Sequence, residues 1–144
     1  MKRFIRIISL ALILTTVLTT TAYAAESAAP KASSYFFRSS TYLVKISSTQ
    51  FKAYFEITGT GTMSEIGAKT VKIQRSSDGV NWTTMKTYNS SDYSNMIITN
   101  DVNHCSYFTY SGTPGYQYRA KVTYYAKNSS GTGQVTEYSE TLIL

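Results

Sequence analysis

The regular alternation of side chains between residues 116 and 126 constrains the fold of this chain more than any other feature. Apolar and aromatic residues occupy one set of alternate positions, namely Tyr116, Tyr118, Ala120, Val122, Tyr124 and Ala126. Mostly polar residues occupy the other set, namely Gln117, Arg119, Lys121, Thr123 and Tyr125. A period of two is typical of a β-strand with one buried face and one solvent face. We therefore expect Tyr118, Ala120 and Val122 in the core, and Arg119 and Lys121 facing solvent.

Shorter segments with the same period divide the rest of the chain into further strands. They lie near residues 42–46, 51–57, 70–74, 82–88, 104–110 and 135–143. Turn signals at Ser77–Gly79 and at residues 112–115 separate neighbouring strands. About seven strands at this spacing predict an all-β fold, an antiparallel β-sandwich of Ig-like type. A small closed barrel is the alternative.

The segment between residues 58 and 67 predicts an interruption of the strands. Thr58, Gly59, Thr60 and Gly61 are expected to end the second strand. The spacing of Thr62 and Glu65 matches a capping box, so a single helical turn that ends at Gly67 is expected there. That turn would place Met63 and Ile66 beneath the edge of the core.

The N-terminus predicts export from the cell. Three basic residues precede an apolar run at residues 7–18, and Ala22-Tyr23-Ala24 has the small-x-small pattern of a cleavage site. We expect a signal peptide at residues 1–24, a flexible arm at 25–34 and one sandwich domain at 35–144. The protein is then secreted, with no transmembrane segment after signal removal, and secretion is expected to leave Ala25 as the new N-terminus.

The charge and cysteine content of the chain after residue 24 limit its partners. That part holds 11 of the 14 basic residues and all 8 acidic ones, a net charge of +3, which is too small to predict nucleic-acid binding. Cys105 is the single cysteine, so no intramolecular disulfide can form. A small, partly buried strand residue is the simplest interpretation of Cys105, and a Cys105-linked dimer is the alternative. A secreted chain without disulfides is typical of Gram-positive bacteria.

Two segments resemble fibronectin type III-like domains. Residues 115–126 resemble their penultimate strand, in which a tyrosine corner precedes an alternating strand, and residues 76–82 resemble the hairpin after their third strand. Together with residues 58–63 and 66–68, the sequence also resembles a family of small secreted Gram-positive proteins of unknown function. This resemblance spans residues 51–127, implies an Ig-like or fibronectin type III-like sandwich, and implies no activity.

The residues that usually carry catalysis or bind metals are sparse. His104 and Cys105 are adjacent on a predicted strand, so their side chains should lie on opposite faces rather than form a catalytic pair. One histidine and one cysteine cannot make a typical zinc site. We therefore predict no enzyme activity, no metal and no cofactor.

Two predicted surfaces could bind a ligand. Lys72, Arg119 and Lys121, with Tyr125 nearby, should share the outer face of one sheet if the strands at 70–74 and 116–126 are neighbours. Such a face is usually just solvated, and its functional alternative is contact with an anionic polymer.

The second surface is aromatic. If Phe55 and Phe108 face the core, then Tyr54 and Tyr107 point outward on neighbouring strands. Exposed tyrosines can stack on sugar rings, and cross-strand tyrosine pairs also simply stabilise sheets. We expect a secreted, non-catalytic binding module for cell-wall or extracellular polysaccharide or an anionic cell-wall polymer. The alternative is a structural or interaction protein that acts in adhesion or self-assembly.

Overall fold

The computed structural model describes residues 34–144, and their fold is all-β. One short 3-10 turn, Ser94–Met96, interrupts the strands. The strands are β1 (Phe36–Lys45), β2 (Gln50–Met63), β3 (Glu65–Ser76), β4 (Thr83–Asn89), β5 (Ile97–Ile98), β6 (Asp101–Ser111), β7 (Gln117–Asn128), β8 (Gly131–Tyr138) and β9 (Leu142–Ile143). Seven of these strands have seven or more residues, while β5 and β9 have two each. The prediction of an antiparallel all-β fold is confirmed.

The strands form two antiparallel sheets. The smaller sheet has the order β1-β2-β6, and the larger has the order β4-β3-β7-β8, with β5 pairing with β3 and β9 with β7. The chain passes from one sheet to the other three times, between β2 and β3, between β5 and β6, and between β6 and β7. The central strands β2, β3 and β7 therefore have neighbours on both sides.

The core lies between the two sheets and consists of the alternate residues of each strand. From β7, Tyr118, Ala120 and Val122 are almost fully buried, as the alternation predicts, and Phe55 on β2 faces them from the smaller sheet. Phe108 on β6 stacks on the buried Tyr88, with 3.9 Å between ring centroids. Burial of large aromatic side chains from both sheets provides most of the driving force for their association.

Two buried tyrosine hydroxyls fix the positions of chain segments around this core. The Tyr118 hydroxyl accepts a hydrogen bond from the Thr113 N–H at 2.7 Å, which holds the turn before β7. The Tyr124 hydroxyl reaches the other sheet, donates to the Ser40 carbonyl at 2.5 Å and lies 2.7 Å from Thr41 Oγ1. Tyr124 is fully buried, while Ser40 and Thr41 are partly exposed, so the hydroxyl links the core to the edge strand β1.

The predicted interruption between β2 and β3 is wrong. β2 continues through the two glycines of the Thr-Gly repeat to Met63, and β3 begins at Glu65, so the helical turn does not form. The N–H of Ser64, between them, donates to the Lys127 carbonyl at 2.8 Å, which makes the connection part of the sheet. Met63 and Ile66 are nevertheless buried as expected.

The first strand carries apolar residues on both faces, and one of these faces points to solvent. The sequence groups Tyr42 and Val44 on one face, and that face points away from the core, where Val44 is exposed. Leu43, on the opposite face, packs against the core.

The predicted closing strand is divided in the structure. Residues 139–141 separate β8 from β9, and the buried Ser139 there accepts a hydrogen bond from the Ala120 N–H.

The predicted signal peptide at residues 1–24 and all but the last residue of the predicted arm at 25–34 lie outside the described residues. Within residues 34–144, no helix is long and apolar enough to cross a membrane.

Candidate functional site

The outer face of the larger sheet brings three predicted cations together. Lys72 on β3 lies directly opposite Lys121 on β7, and the next outward pair along these strands is Gln74 opposite Arg119. Among residues 34–144, the single salt bridge joins Lys127 to Glu65, so none of the three cations has a carboxylate partner within 4.0 Å. The sequence predicted this grouping, and the structure places it at the centre of the sheet.

Two aromatic rings hold the guanidinium of Arg119. Its central carbon lies 4.2 Å from the Trp82 ring centroid and 4.5 Å from the Tyr138 ring centroid. Arg119 Nε also donates a hydrogen bond to Gln74 Oε1 at 2.8 Å. Burial among these groups lowers the pKa of Arg119, and Tyr138 opposes that shift. Contacts between a guanidinium and aromatic rings are favourable and restrict its orientation.

We define the basic face as Lys72, Arg119 and Lys121 together with the flanking Trp82 and Tyr138. Tyr138 also approaches Lys121, whose Nζ lies 5.3 Å from the ring centroid. The indole N–H of Trp82 donates to the Gly79 carbonyl at 3.2 Å, which ties the ring to the β3–β4 hairpin.

Sequence reasoning missed both aromatic members of the basic face. Trp82 shares the even numbering of Tyr88, which faces the core, so simple alternation would bury it. A bulge in β4 changes the register, because Ile73 lies opposite Lys86 but Gln74 lies opposite Thr84. The extra residue in β4 reverses the side-chain faces of the residues that precede it in the chain, and Trp82 is one of them. For Tyr138 a signal existed: it lies opposite Lys121 once β7 and β8 are paired as a hairpin.

Tyr125, the fourth residue predicted for this surface, is not available to a ligand. It lies on the outer side of β7, but only 7% of it is exposed. The Nζ of Lys69 lies 4.2 Å from its ring centroid and covers it. Desolvation by these neighbours raises the pKa of the Tyr125 hydroxyl. In this structure the Tyr125 ring therefore offers little surface to a ligand.

The outer face of the smaller sheet carries a row of three tyrosines, one from each strand. Tyr42, Tyr54 and Tyr107 are cross-strand partners on β1, β2 and β6. The Tyr42 and Tyr54 rings are nearly parallel, with centroids 5.0 Å apart, and the Tyr54 and Tyr107 centroids lie 5.1 Å apart. The outward orientation of Tyr54 and Tyr107 is confirmed, while Tyr42 was not predicted. We call these three residues the tyrosine row.

Contacts within the tyrosine row occupy much of its aromatic surface. Tyr54 has a neighbouring ring on each side, and the Nζ of Lys52 lies 4.0 Å from the Tyr107 ring centroid. The Tyr42 hydroxyl donates to Glu56 Oε1 at 2.7 Å, and this hydrogen bond, aided by burial, raises the pKa of Tyr42 to about 12. The row therefore presents ring edges and hydroxyls to solvent more than open ring faces.

His104 and Cys105 lie on opposite faces of β6, as the alternation predicts. His104 packs edge-on against Phe55 on the core side, and its Nε2 lies 2.8 Å from the Asn95 carbonyl oxygen. Cys105 is exposed rather than partly buried, because β6 is the last strand of its sheet. Desolvation and the nearby Glu56 carboxylate, 3.5 Å from Sγ, raise the pKa of the Cys105 thiol. A raised pKa disfavours the reactive thiolate at neutral pH.

The described part of the chain offers little for metal binding. Residues 34–144 contain no group of three or more His, Cys, Asp or Glu side chains placed to share a metal ion. A shallow depression on the smaller sheet is lined by Arg38, Ser40, Glu56, Ile57 and Thr58. It contains one carboxylate, whereas general acid–base hydrolysis of a glycoside usually needs two that face each other.

Comparison with known proteins gives one structural likeness. No protein-family model matches the chain, and no curated protein matches it. The crystal structure of the sporulation control protein Spo0M from Bacillus subtilis matches with a TM-score of 0.40 and 10% sequence identity. The match covers 72% of this chain and 49% of Spo0M, so the chain spans about half the length of that protein. At this TM-score, the likeness carries no conclusion about function.

Proposed function

We propose that this protein is a secreted, non-catalytic binding module that holds an anionic polymer of the cell wall or its surroundings on the basic face. The observation that carries the proposal is the direct cross-strand pairing of Lys72 with Lys121 beside Arg119, with no carboxylate of residues 34–144 bonded to any of them. Like charges directly opposite each other destabilise a sheet. A linear polymer with repeated phosphate or carboxylate groups would remove that repulsion.

The aromatic members of the basic face support the same ligand class. Trp82 and Tyr138 hold Arg119 in a fixed orientation, so little side-chain entropy would be lost when its guanidinium meets an anion. Arginine donates in a planar fork that matches both carboxylate and phosphate oxygens. The edges of the two rings offer apolar contact to the sugar or polyol units between the charged groups.

The tyrosine row is a weaker candidate for a stacking surface. Sugar rings stack on open aromatic faces, and Tyr54 has Tyr42 against one face and Tyr107 tilted against the other. Mutual stacking of this kind is expected to stabilise the sheet itself. Binding of a neutral polysaccharide to the tyrosine row is therefore the alternative to binding of an anionic polymer to the basic face.

We also assign the sandwich to the Ig-like, fibronectin type III-like class. In that architecture the second strand pairs with the fifth long strand, and the third long strand pairs with the sixth. Here β2 pairs with β6, and β3 pairs with β7, which is the sixth long strand. The hydroxyl of Tyr118 bonded to the Thr113 backbone supports it as a tyrosine corner. Export through the signal peptide at residues 1–24, from a Gram-positive cell, completes the proposal.

The proposal is tested by binding to isolated Gram-positive cell walls, teichoic acid, polygalacturonate and neutral dextran at low and high salt. The Lys72→Ala/Lys121→Ala variant should bind the anionic polymers about 5–30-fold more weakly, since each exposed charge contact contributes up to about 1 kcal/mol. Binding by the parent protein should weaken as salt is added. The matched control, Lys45→Ala/Lys52→Ala, loses the same charge from the smaller sheet and should bind like the parent.

Other outcomes distinguish the alternatives. Salt-independent binding to dextran that is lost in a Tyr54→Ala/Tyr107→Ala variant would replace the basic face with the tyrosine row. Equal weakening by both lysine pairs would show that only net charge matters and would contradict a specific face. If the parent binds no wall or polymer at any salt concentration, the structural or interaction role takes precedence. The exposure of Cys105 on the last strand of the smaller sheet favours this structural or interaction role.

A further inference from the structure

The outer edge of β6 is the feature of the fold that neither ligand surface uses. β6 is the last strand of the β1-β2-β6 sheet, and among residues 34–144 no other strand pairs with it on its far side. It is eleven residues long, and its register with β2 is regular from Asn103 to Ser111. A long, regular and unpaired strand edge is a ready template for another strand.

The hydrogen-bonding pattern shows which backbone groups are free on this edge. The N–H of Gly112 donates to the Thr49 carbonyl at 2.8 Å, so even-numbered residues of this strand bond to β2. Hydrogen-bonded and non-bonded pairs alternate in an antiparallel ladder. The odd-numbered residues therefore direct their N–H and C=O groups away from β2. Three of them at the centre of the strand, Cys105, Tyr107 and Thr109, are exposed.

The other three sheet edges have features that discourage pairing. β6 has a register shift against β2 only near Asp101 and lacks such features from Asn103 to Ser111. β1 has a register shift after Phe36 and two cations, Arg38 and Lys45. β4 has the bulge before Lys86, and β8 is only eight residues long and contains two glycines. β6 contains no Lys, Arg or Pro, and its one acidic residue stands at its first position. Charges, bulges and short length are the usual protection of natural edge strands.

We infer that two copies of this protein associate through their β6 edges, in antiparallel orientation, to form one continuous six-stranded sheet. A second copy fits because the outward row of β6 is neutral from Asn103 to Ser111 and pairs with itself there without bringing like charges together. The pairing is centred on Tyr107, because among the outward-facing residues of β6 only that register places an aromatic residue opposite its own symmetry mate. The tyrosine row then extends across both copies as six rings.

This register makes a specific statement about the single cysteine. With Tyr107 opposite its symmetry mate, Cys105 lies opposite Thr109 of the second copy. The two Cys105 residues are then four positions out of register, too far apart for a disulfide. The association is therefore non-covalent.

Amide hydrogen exchange of the purified protein at micromolar and millimolar concentration tests the association. On concentration, the N–H groups of Cys105, Tyr107 and Thr109 should exchange at least about tenfold more slowly, because they become hydrogen-bonded to the second copy. The N–H groups of His104 and Ser106 bond to β2 in either state and should not change. Fast exchange of the odd-numbered amides at both concentrations, with a monomeric mass throughout, would overturn the inference.

Two variants separate pairing from folding. Thr109→Pro removes an N–H that β2 does not use, and proline is tolerated at such edge positions. Tyr107→Lys places like charges opposite each other at the symmetry axis. Both should remain monomeric at millimolar concentration. Thr136→Lys, which adds the same charge to an outward position of β8, should dimerise like the parent; if it does not, net charge rather than the β6 edge controls association.

Cross-linking tests the register. In a Thr109→Cys variant, treatment with a thiol oxidant such as diamide should join two chains by disulfides between positions 105 and 109, because these positions face each other. The two cysteines of one chain lie four residues apart on the same strand and cannot bond to each other. The parent, with Cys105 alone, should remain uncrosslinked. Rapid cross-linking of the parent instead would overturn the Tyr107-centred register.

Discussion

Removal of the Tyr124 hydroxyl should measure how strongly one buried polar contact holds the two sheets together. Tyr124→Phe keeps the ring in the core and deletes only the group that bonds to Ser40 and Thr41 on the opposite sheet. The Ser40 carbonyl is partly buried, so leaving it without its donor should cost roughly 1–2 kcal/mol. Burial also raises the pKa of this hydroxyl, so it remains a neutral donor well into the alkaline range.

The measurement is urea unfolding followed by tryptophan fluorescence. With a urea dependence of roughly 1–3 kcal/mol/M for a small domain, the midpoint should fall by about 1 M. Tyr107→Phe is the matched control, because the same atom is removed from an exposed ring, and the change should stay within about 0.5 kcal/mol. Equal effects of the two substitutions would refute the role of the buried hydroxyl.

A double-mutant cycle assigns the effect to the contact itself. Thr41→Val removes the second partner of the Tyr124 hydroxyl without creating a cavity. If the two groups stabilise the fold through each other, the coupling free energy between Thr41→Val and Tyr124→Phe should be about 0.5 kcal/mol or more. If the free-energy changes of the two single variants simply add in the double variant, the Tyr124 hydroxyl stabilises the fold through the Ser40 carbonyl alone.

Three further substitutions follow from the structure. Val122→Ala should lower the free energy of unfolding by about 1–3 kcal/mol through a cavity, while Lys121→Ala should change it by less than about 0.5 kcal/mol, both by urea unfolding. Gly67→Ala should prevent stable folding in a circular-dichroism melt, because its φ is +155° and a Cβ would lie 2.0 Å from the Met96 carbonyl oxygen. Asp78, whose carboxylate accepts hydrogen bonds in the β3–β4 hairpin, has a lowered pKa. Its stabilising contribution should be present above the unfolded pKa of about 3.9 and lost as the pH falls through the folded value, and an NMR titration of the carboxyl measures it.

Alternation predicts a strand well when the strand pairs on both sides and has one buried face. β7 is such a strand, and for it the sequence predicts both the element and the face. Alternation does not identify the buried face of β1. Tyr42 and Val44 form an apolar outer face, while Leu43 on the opposite face packs against the core. When a strand has apolar residues on both faces, its side chains still alternate, but the sequence does not show which face is buried.

Local signals failed where tertiary pairing supplied a better alternative. Glu65 fits a capping box, but in the structure its carboxylate accepts from Lys127 at 3.0 Å across β3 and β7. Ser64 supplies a further bond to β7 through its hydroxyl, which donates to the Lys127 carbonyl at 3.0 Å. These contacts lie 62 and 63 residues apart in sequence, so no local propensity could predict them.

The candidate site could be predicted only in part for a related reason. Lys72 and Lys121 follow from the pairing of β3 with β7, which the strand count and the resemblance already suggest. Trp82 depends on a one-residue bulge in β4, and a bulge reverses side-chain faces without a clear signature in the sequence. Tyr125 has the right parity, but its exposure depends on where the long side chain of Lys69 lies. Faces can be derived from periodicity, whereas coverage of a face by neighbours requires the structure.

The two proposed surfaces would act together. Pairing of β6 strands around an axis perpendicular to the sheet keeps both copies in the same orientation, so their basic faces would lie on one side of the dimer, opposite the tyrosine rows. A long polymer could then contact both basic faces, and the second contact would be intramolecular. Thr109→Pro should therefore weaken binding to a long anionic polymer by about tenfold or more, yet leave binding to a short oligomer of the same chemistry unchanged. Lys72→Ala/Lys121→Ala should weaken both. Equal binding of the long polymer by Thr109→Pro and the parent would show that the two surfaces act independently, even if each exists.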